Sequence, residues 1–192
     1  PGSLDARFRT SYALLFGQAA ARSNHADDAV RAVAAQAQAD PRNGRLQQAL
    51  GVAYDAQGDD RKAFQAFKKA FELDPTDDGV ARSAVRSGIA AARRASSDQE
   101  KQATYAAAAG IAERMAASAD TFEHLLLAGE AWLGGKDYGK ALDWFPKAQA
   151  KQISLDRMVA IKVLPKRYTN NPEFIERLYA EGRAAAKLTH PN

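Results

Sequence analysis

The stretch Gly44–Asp77, GRLQQALGVAYDAQGDDRKAFQAFKKAFELDPTD, decides the fold. It contains two segments with helical apolar spacing, parted by Gln57-Gly58-Asp59 and closed by Asp74-Pro75. The same landmarks occur earlier at one common shift. Asp40-Pro41 returns as Asp74-Pro75, Gly17 as Gly51, and Ala29 as Ala63. A fixed period of about 34 residues marks stacked copies of one supersecondary unit. Composition agrees. Of 43 alanines, 38 precede residue 151, whereas Val and Ile together number 12, four of them (Ile153, Val159, Ile161, Val163) close together. Alanine is the strongest helix former and β-branched residues suit strands, so the first 150 residues read as all-helical and a different pattern begins near 152.

In the quoted stretch, LGVAY (50–54), Gly58, Ala63, Phe67, Ala70 and Pro75 fall at the spacing of the tetratricopeptide repeat, which it closely resembles. That resemblance implies two antiparallel helices brought close by Gly51, Ala63 and Ala70. Leu50, Tyr54 and Phe67 then fill the space between them, and Pro75 stops the second helix. Gln47 stands where the family has a large apolar residue, and Leu46 is expected to take its place. The first copy keeps Gly17, Ala20, Ala29 and Pro41 but has Asn24 in the turn, a residue that tolerates left-handed backbone. A further copy, 122–150, keeps Gly129, Ala131, Trp132, Tyr138, Ala141, Phe145 and Ala148 in register, with its turn glycines, Gly134 and Gly135, one or two places early. Pro146 sits inside its second helix, at a cost of roughly 3 kcal/mol unless the helix ends there. Residues 78–118 read as a degenerate, stretched copy broken at Ser96-Ser97-Asp98, with Asp98 as N-cap. The expected architecture is an all-α superhelical array of about four helix-turn-helix units over 4–151. Pro1-Gly2-Ser3 reads as a cloning scar.

Repeats of this kind stack into a superhelix with a concave face, and the resemblance implies that the first helix of each unit lines it. By register the groove candidates are Leu14, Gln18 and Arg22, then Gln48, Val52 and Asp55, then Glu123, Leu126, Glu130 and Leu133. This set is mixed apolar and acidic, and it lacks the Lys/Asn clamp with which one subclass holds peptide carboxylates. The expected role is non-enzymatic: a scaffold that binds a partner protein or peptide, without cofactor.

Residues 152–192 differ. Met158 to Leu164 is a β-branched run closed by Pro165, and Pro172 opens a helical pattern through Phe174, Ile175, Leu178 and Ala185. VAIK (159–162) and EGRAAAKLTHPN (181–192) resemble the small lobe of bacterial serine/threonine protein kinases. The resemblance implies a strand and a helix in which Lys162 holds ATP phosphates. Glu181, at a spacing that suits the ion pair of those kinases, would orient it, with Mg-ATP as the cofactor of this alternative reading. No HRD, DFG or suitably placed GxGxxG occurs in the 192 residues.

The remaining composition narrows the classes. Zero cysteine excludes disulfides, thiolate metal sites and cysteine nucleophiles. His25, His124 and His190 share no ligand-like spacing, so no metal is expected. The net charge of +4 comes mainly from 152–192, with seven Lys/Arg against four Asp/Glu, and no nucleic-acid partner is expected. Asp27-Asp28, Asp59-Asp60 and Asp77-Asp78 suit turns and helix starts. Phe8, Phe16, Phe64, Phe67 and Phe71 read as inter-helix core. The apolar runs are too short to span a bilayer. No signal peptide is visible, and bacterial cytoplasm and periplasm both stay open.

Overall fold

The computed structural model describes the backbone of residues 2–153 apart from Asn24, and the side chains of that span apart from 2–7, 9, 10, 18, 152 and 153. Contacts divide the chain at Lys151/Gln152. The expected strand at 158–164, the helix after Pro172, Lys162 and Glu181 all lie outside the described residues, as does the left-handed turn expected at Asn24.

The described residues form eight helices: α1 (Gly2–Arg22), α2 (Ala26–Ala39), α3 (Gly44–Gln57), α4 (Asp60–Leu73), α5 (Asp78–Arg94), α6 (Asp98–Ser118), α7 (Phe122–Gly134) and α8 (Tyr138–Ile153). From α1 to α7 each packs on the next, and α1 meets α3 as α5 meets α7. This is a stack of hairpins in which the odd-numbered helices share one side. Six helices begin on a side-chain cap. Asn43, Asp59, Asp77, Ser97, Thr121 and Asp137 accept from the backbone N–H three residues on, at 2.9–3.3 Å. The α6 cap is therefore Ser97 and not Asp98. Ser97 takes the extended backbone a cap requires, which leaves Asp98 and Glu100 in the first turn beside the positive end of the helix.

Close approach within each hairpin follows one rule. A Cβ on Gly51 would lie 2.7 Å from the Phe67 ring, and one on Gly129 would lie 2.6 Å from the Phe145 ring. Gly17 is similarly closed by Val33. In all three the glycine and the side chain it faces are the same distance apart along the chain. In the α5–α6 hairpin a Cβ on Gly88 would meet both Ala108 of α6 and the Phe64 ring of α4, each within 2.9 Å. That interval is longer by four positions, about one helical turn, and so the glycine side of α5 still meets α6.

Two turns superpose residue for residue. Gly58 N–H donates to Asp55 and Asp59 N–H to Tyr54. In the later turn Lys136 N–H donates to Leu133 and Asp137 N–H to Trp132, all four bonds at 3.0 Å. The left-handed residue is Gly58 (φ 79°) in one turn and Lys136 (φ 62°) in the other. Gly134 and Gly135 are thus not displaced turn glycines. Tyr105 of α6 packs directly on both, and any side chain on Gly134 would collide with its ring. Lys62 over Tyr54 and Lys140 over Trp132, at 5.4 and 3.6 Å, repeat the same cation–π contact.

The main core runs from α4 to α7 and is alanine-rich, with Phe64, Phe67, Phe71, Val85, Ile89, Tyr105 and Met115 as its bulk. Leu46 and Ala49 pack with Ala13, Val33 and Ala37 at the α1–α3 end. Leu46 is fully buried, and Gln47 is buried too, donating to the carbonyls of Ala37 and Pro41 where α2 ends. α8 continues through Pro146. Pro146 and Leu142, whose carbonyl loses its donor, are both exposed, so the freed carbonyl belongs to a surface residue where solvation lowers the cost. Phe8 and Phe16, expected in the core, are exposed instead.

Candidate functional site

The candidate surface is the shared side of the odd-numbered helices, built from stripes at helical spacing. On α3, Val52 and Asp55 are exposed and Gln48 is half-buried. Each points away from Leu46, Ala49 and Ala53, which anchor that helix in the stack. On α7, Glu123, Leu126, Glu130 and Leu133 form a half-buried line opposite the buried Leu125, Leu127, Ala128 and Ala131. At α1, Leu14 is half-buried and packs on the α1–α3 core, and Arg22 is exposed at the helix end. The side chain of Gln18 lies outside the described residues.

The sequence register leaves α5 out of this surface, and α5 changes its electrostatics. Arg86 reaches Glu123 at 2.7 Å and Arg82 reaches the same carboxylate at 3.2 Å. Arg82 also meets Asp78 at 3.0 Å. Asp78 in turn meets Nε2 of the buried His124 at 2.8 Å, while Nδ1 of that ring lies 2.7 Å from the Ala119 carbonyl. The surface therefore carries two arginines beside its apolar and acidic residues. Glu123 is held between two guanidinium groups that bridge α5 and α7. The signal for this is present in the sequence, since the shift that maps Gly17 on Gly51 also maps Gln48 on Arg82 and Val52 on Arg86. The stretched spacing at 78–118 conceals it, because the landmark glycine of α5, Gly88, is out of step with that shift.

The surface offers apolar side chains at Val52 on α3 and at Leu126 and Leu133 on α7, and an ionic bridge that ties α5 to α7. Among the described residues no three His, Asp or Glu side chains converge as a metal cluster would require. No described helix is long and apolar enough to cross a membrane. Lys162 and Glu181, the nucleotide-binding candidates, lie outside the described residues.

Stacked hairpins at this register define a tetratricopeptide-type helical array, and comparison with solved structures shows the same fold. MamA from Desulfovibrio magneticus RS-1 superposes with a TM-score of 0.58 at 17% identity, over 93% of this chain and 90% of that one. A double mutant of MamA gives 0.59, also at 17% identity, over 93% and 89%. At that identity the likeness concerns the fold alone. A second similarity is short. The serine/threonine-protein kinase PknA of Mycobacterium tuberculosis is 54% identical over 43 residues, 22% of this chain and 10% of the kinase. PrkC of Bacillus subtilis is 51% identical over 43 residues, 22% of this chain and 7% of that kinase. The chain thus spans a tenth or less of the curated kinases that it matches. No protein-family model matches it.

Proposed function

We propose that this protein is an interaction scaffold that binds a partner protein or peptide along α3, α5 and α7, with no chemistry of its own on the repeats. The observation that supports this best is the Arg82–Glu123–Arg86 bridge that ties α5 to α7, with the half-buried Leu126 one turn along α7 from Glu123. A solvated helix face needs no such alignment across two repeats. The contact residues of this reading are Gln48, Val52, Asp55, Glu123, Leu126, Glu130 and Leu133, joined by Arg82 and Arg86, with Leu14, Gln18 and Arg22 extending the line. Peptides selected by display against the full chain test it. Binders should lose at least about tenfold in affinity on Arg86→Glu and on Leu126→Glu, as hot-spot truncations do. Equal binding to both variants and to wild type refutes the placement.

A second reading rests on the 43-residue kinase match. In it, 4–151 is a repeat domain and 152–192 is a small-lobe segment of a kinase, in which Lys162 and Glu181 would serve Mg-ATP. Phosphoryl transfer depends on positioning and metal-borne charge, and the 192 residues contain neither HRD nor DFG. This chain is therefore expected to bind Mg-ATP weakly or not at all. Calorimetric titration on wild type and Lys162→Ala decides. Micromolar binding lost in the variant favours the kinase reading, and its absence favours the scaffold.

A further inference from the structure

One apolar stripe takes no part in the core. On α1, Phe8 is 72% exposed, Tyr12 59%, Leu15 71% and Phe16 39%, and the Tyr12 and Phe16 rings stack at 5.7 Å. The repeat register shows what this face is for. One period on, the counterparts of Tyr12, Leu15, Phe16 and Ala19 are Leu46, Ala49, Leu50 and Ala53 on α3. Leu46, Ala49 and Ala53 are buried, and Leu50 packs on the same core, beneath residues of α1 and α2. On α7 the same positions hold His124, Leu127, Ala128 and Ala131, all buried. In α3 and α7, then, this is the face that stacks. On α1 it stays open, and there it carries the largest side chains.

We propose that the stripe on α1 is a dimer seam, covered by α1 of a second copy of this chain about a two-fold axis. Three observations select that occupant. Phe8, Tyr12, Leu15 and Ala19 alternate in steps of four and three, which is the seam along which two helices pair with each other. The area also fits. A buried aromatic covers about 150–250 Å², so the open parts of these side chains amount to roughly 400–500 Å². That is the size of the largest open apolar patch on a typical single chain, which is often an interaction site. Pairing like with like covers the area twice, and with the helix flanks this approaches the ~1,200 Å² of a specific interface. Lastly, among the described residues α8, the last helix, offers no match. On α8 the counterparts of the stacking residues Phe64 and Phe71 are Leu142, 47% exposed, and the polar Gln149. A single leucine does not complement three rings and a leucine.

The absence of cysteine makes the test clean, since any introduced thiol is the sole one. Ser11 is exposed at the edge of the seam and is the attachment point. The full chain carrying Ser11→Cys, treated with a short bis-maleimide, should give a covalent dimer. Leu142→Cys should not, nor should the mixture of the two variants cross-link to each other. Sedimentation should show wild type as a dimer at about 100 μM. Leu15→Glu should raise the dissociation constant at least about tenfold at unchanged helical circular dichroism. If Leu15→Glu loses helix, Phe8→Lys, near the helix start, gives the same reading. A monomer at about 100 μM without cross-linking, or a Ser11–Leu142 cross-link showing head-to-tail stacking, overturns the proposal.

Discussion

Replacing Gly51 by alanine should destabilise the protein although alanine is the better helix former. A Cβ at that position would sit 2.7 Å from two Phe67 ring atoms and 2.8 Å from a third. The ring has no free direction in which to retreat, because Phe67 is buried in the main core. Forcing one methyl group into a packed site costs about 1–3 kcal/mol. Against this stands about 0.5–1 kcal/mol gained when alanine replaces glycine inside a helix. The net is about 0–2.5 kcal/mol of lost stability and centres near 1 kcal/mol, a fall in melting temperature of roughly 2–5 °C for a chain of this size. Gly110→Ala is the internal control. Gly110 lies within α6, and nothing stands within 4 Å of where its Cβ would be. The identical substitution there should raise the melting temperature by about 1–4 °C. Thermal melts by circular dichroism on both variants read the two signs. A Gly51→Ala protein as stable as wild type would mean that α3 and α4 do not approach each other through this glycine.

Lys136 holds the left-handed position that Gly58 fills in the earlier turn, so Lys136→Gly should stabilise by about 0.5–1 kcal/mol, seen as a higher urea midpoint. Asp59 bonds the Lys62 ammonium at 2.8 Å and its backbone N–H at 3.0 Å, which holds the carboxyl below the usual aspartate range. Its contribution is present above that range and is lost as pH falls through the lower folded value. Asp59→Asn keeps the cap and should therefore flatten, without abolishing, the fall of melting temperature below about pH 4. Asp74 on Thr76 and Asp120 on Lys151 are shifted the same way and leave the residual slope. Gln47→Leu restores the apolar residue that the repeat pattern favours, yet should lower stability by about 1 kcal/mol in chemical denaturation, because the carbonyls of Ala37 and Pro41 lose a donor.

Much of the fold is legible because each stacking residue must meet a near copy of the same neighbour. Gly51 needs Phe67 as Gly129 needs Phe145 and Gly17 needs Val33, and that one interval is therefore written into the sequence three times. Legibility fails where a residue answers to a neighbour from outside its own hairpin. Gly134 and Gly135 resemble misplaced turn residues because Tyr105, which dictates them, belongs to α6 in the preceding hairpin. Gln47 resembles a defect for the same reason, since its partners end α2. Phe8 and Phe16 defeat the sequence reading because aromatic residues at helical spacing look the same whether another helix of the chain covers them or none does.

The surface is less legible than the stack for a physical cause. Stacking and open residues interleave on the same helices: Leu46, Ala49 and Ala53 beside Gln48, Val52 and Asp55 on α3. The first set is constrained at every copy by close packing, where even one methylene is felt. The second set touches little within the chain and is free to differ between repeats. Arg82 and Arg86 on α5 stand where α3 has Gln48 and Val52, and α7 answers them with a glutamate only because α5 and α7 are neighbours. A repeat pattern therefore predicts where the open side lies and not what charge it carries. The charge follows only once α5 and α7 are seen side by side, and there it is two arginines sharing one carboxylate.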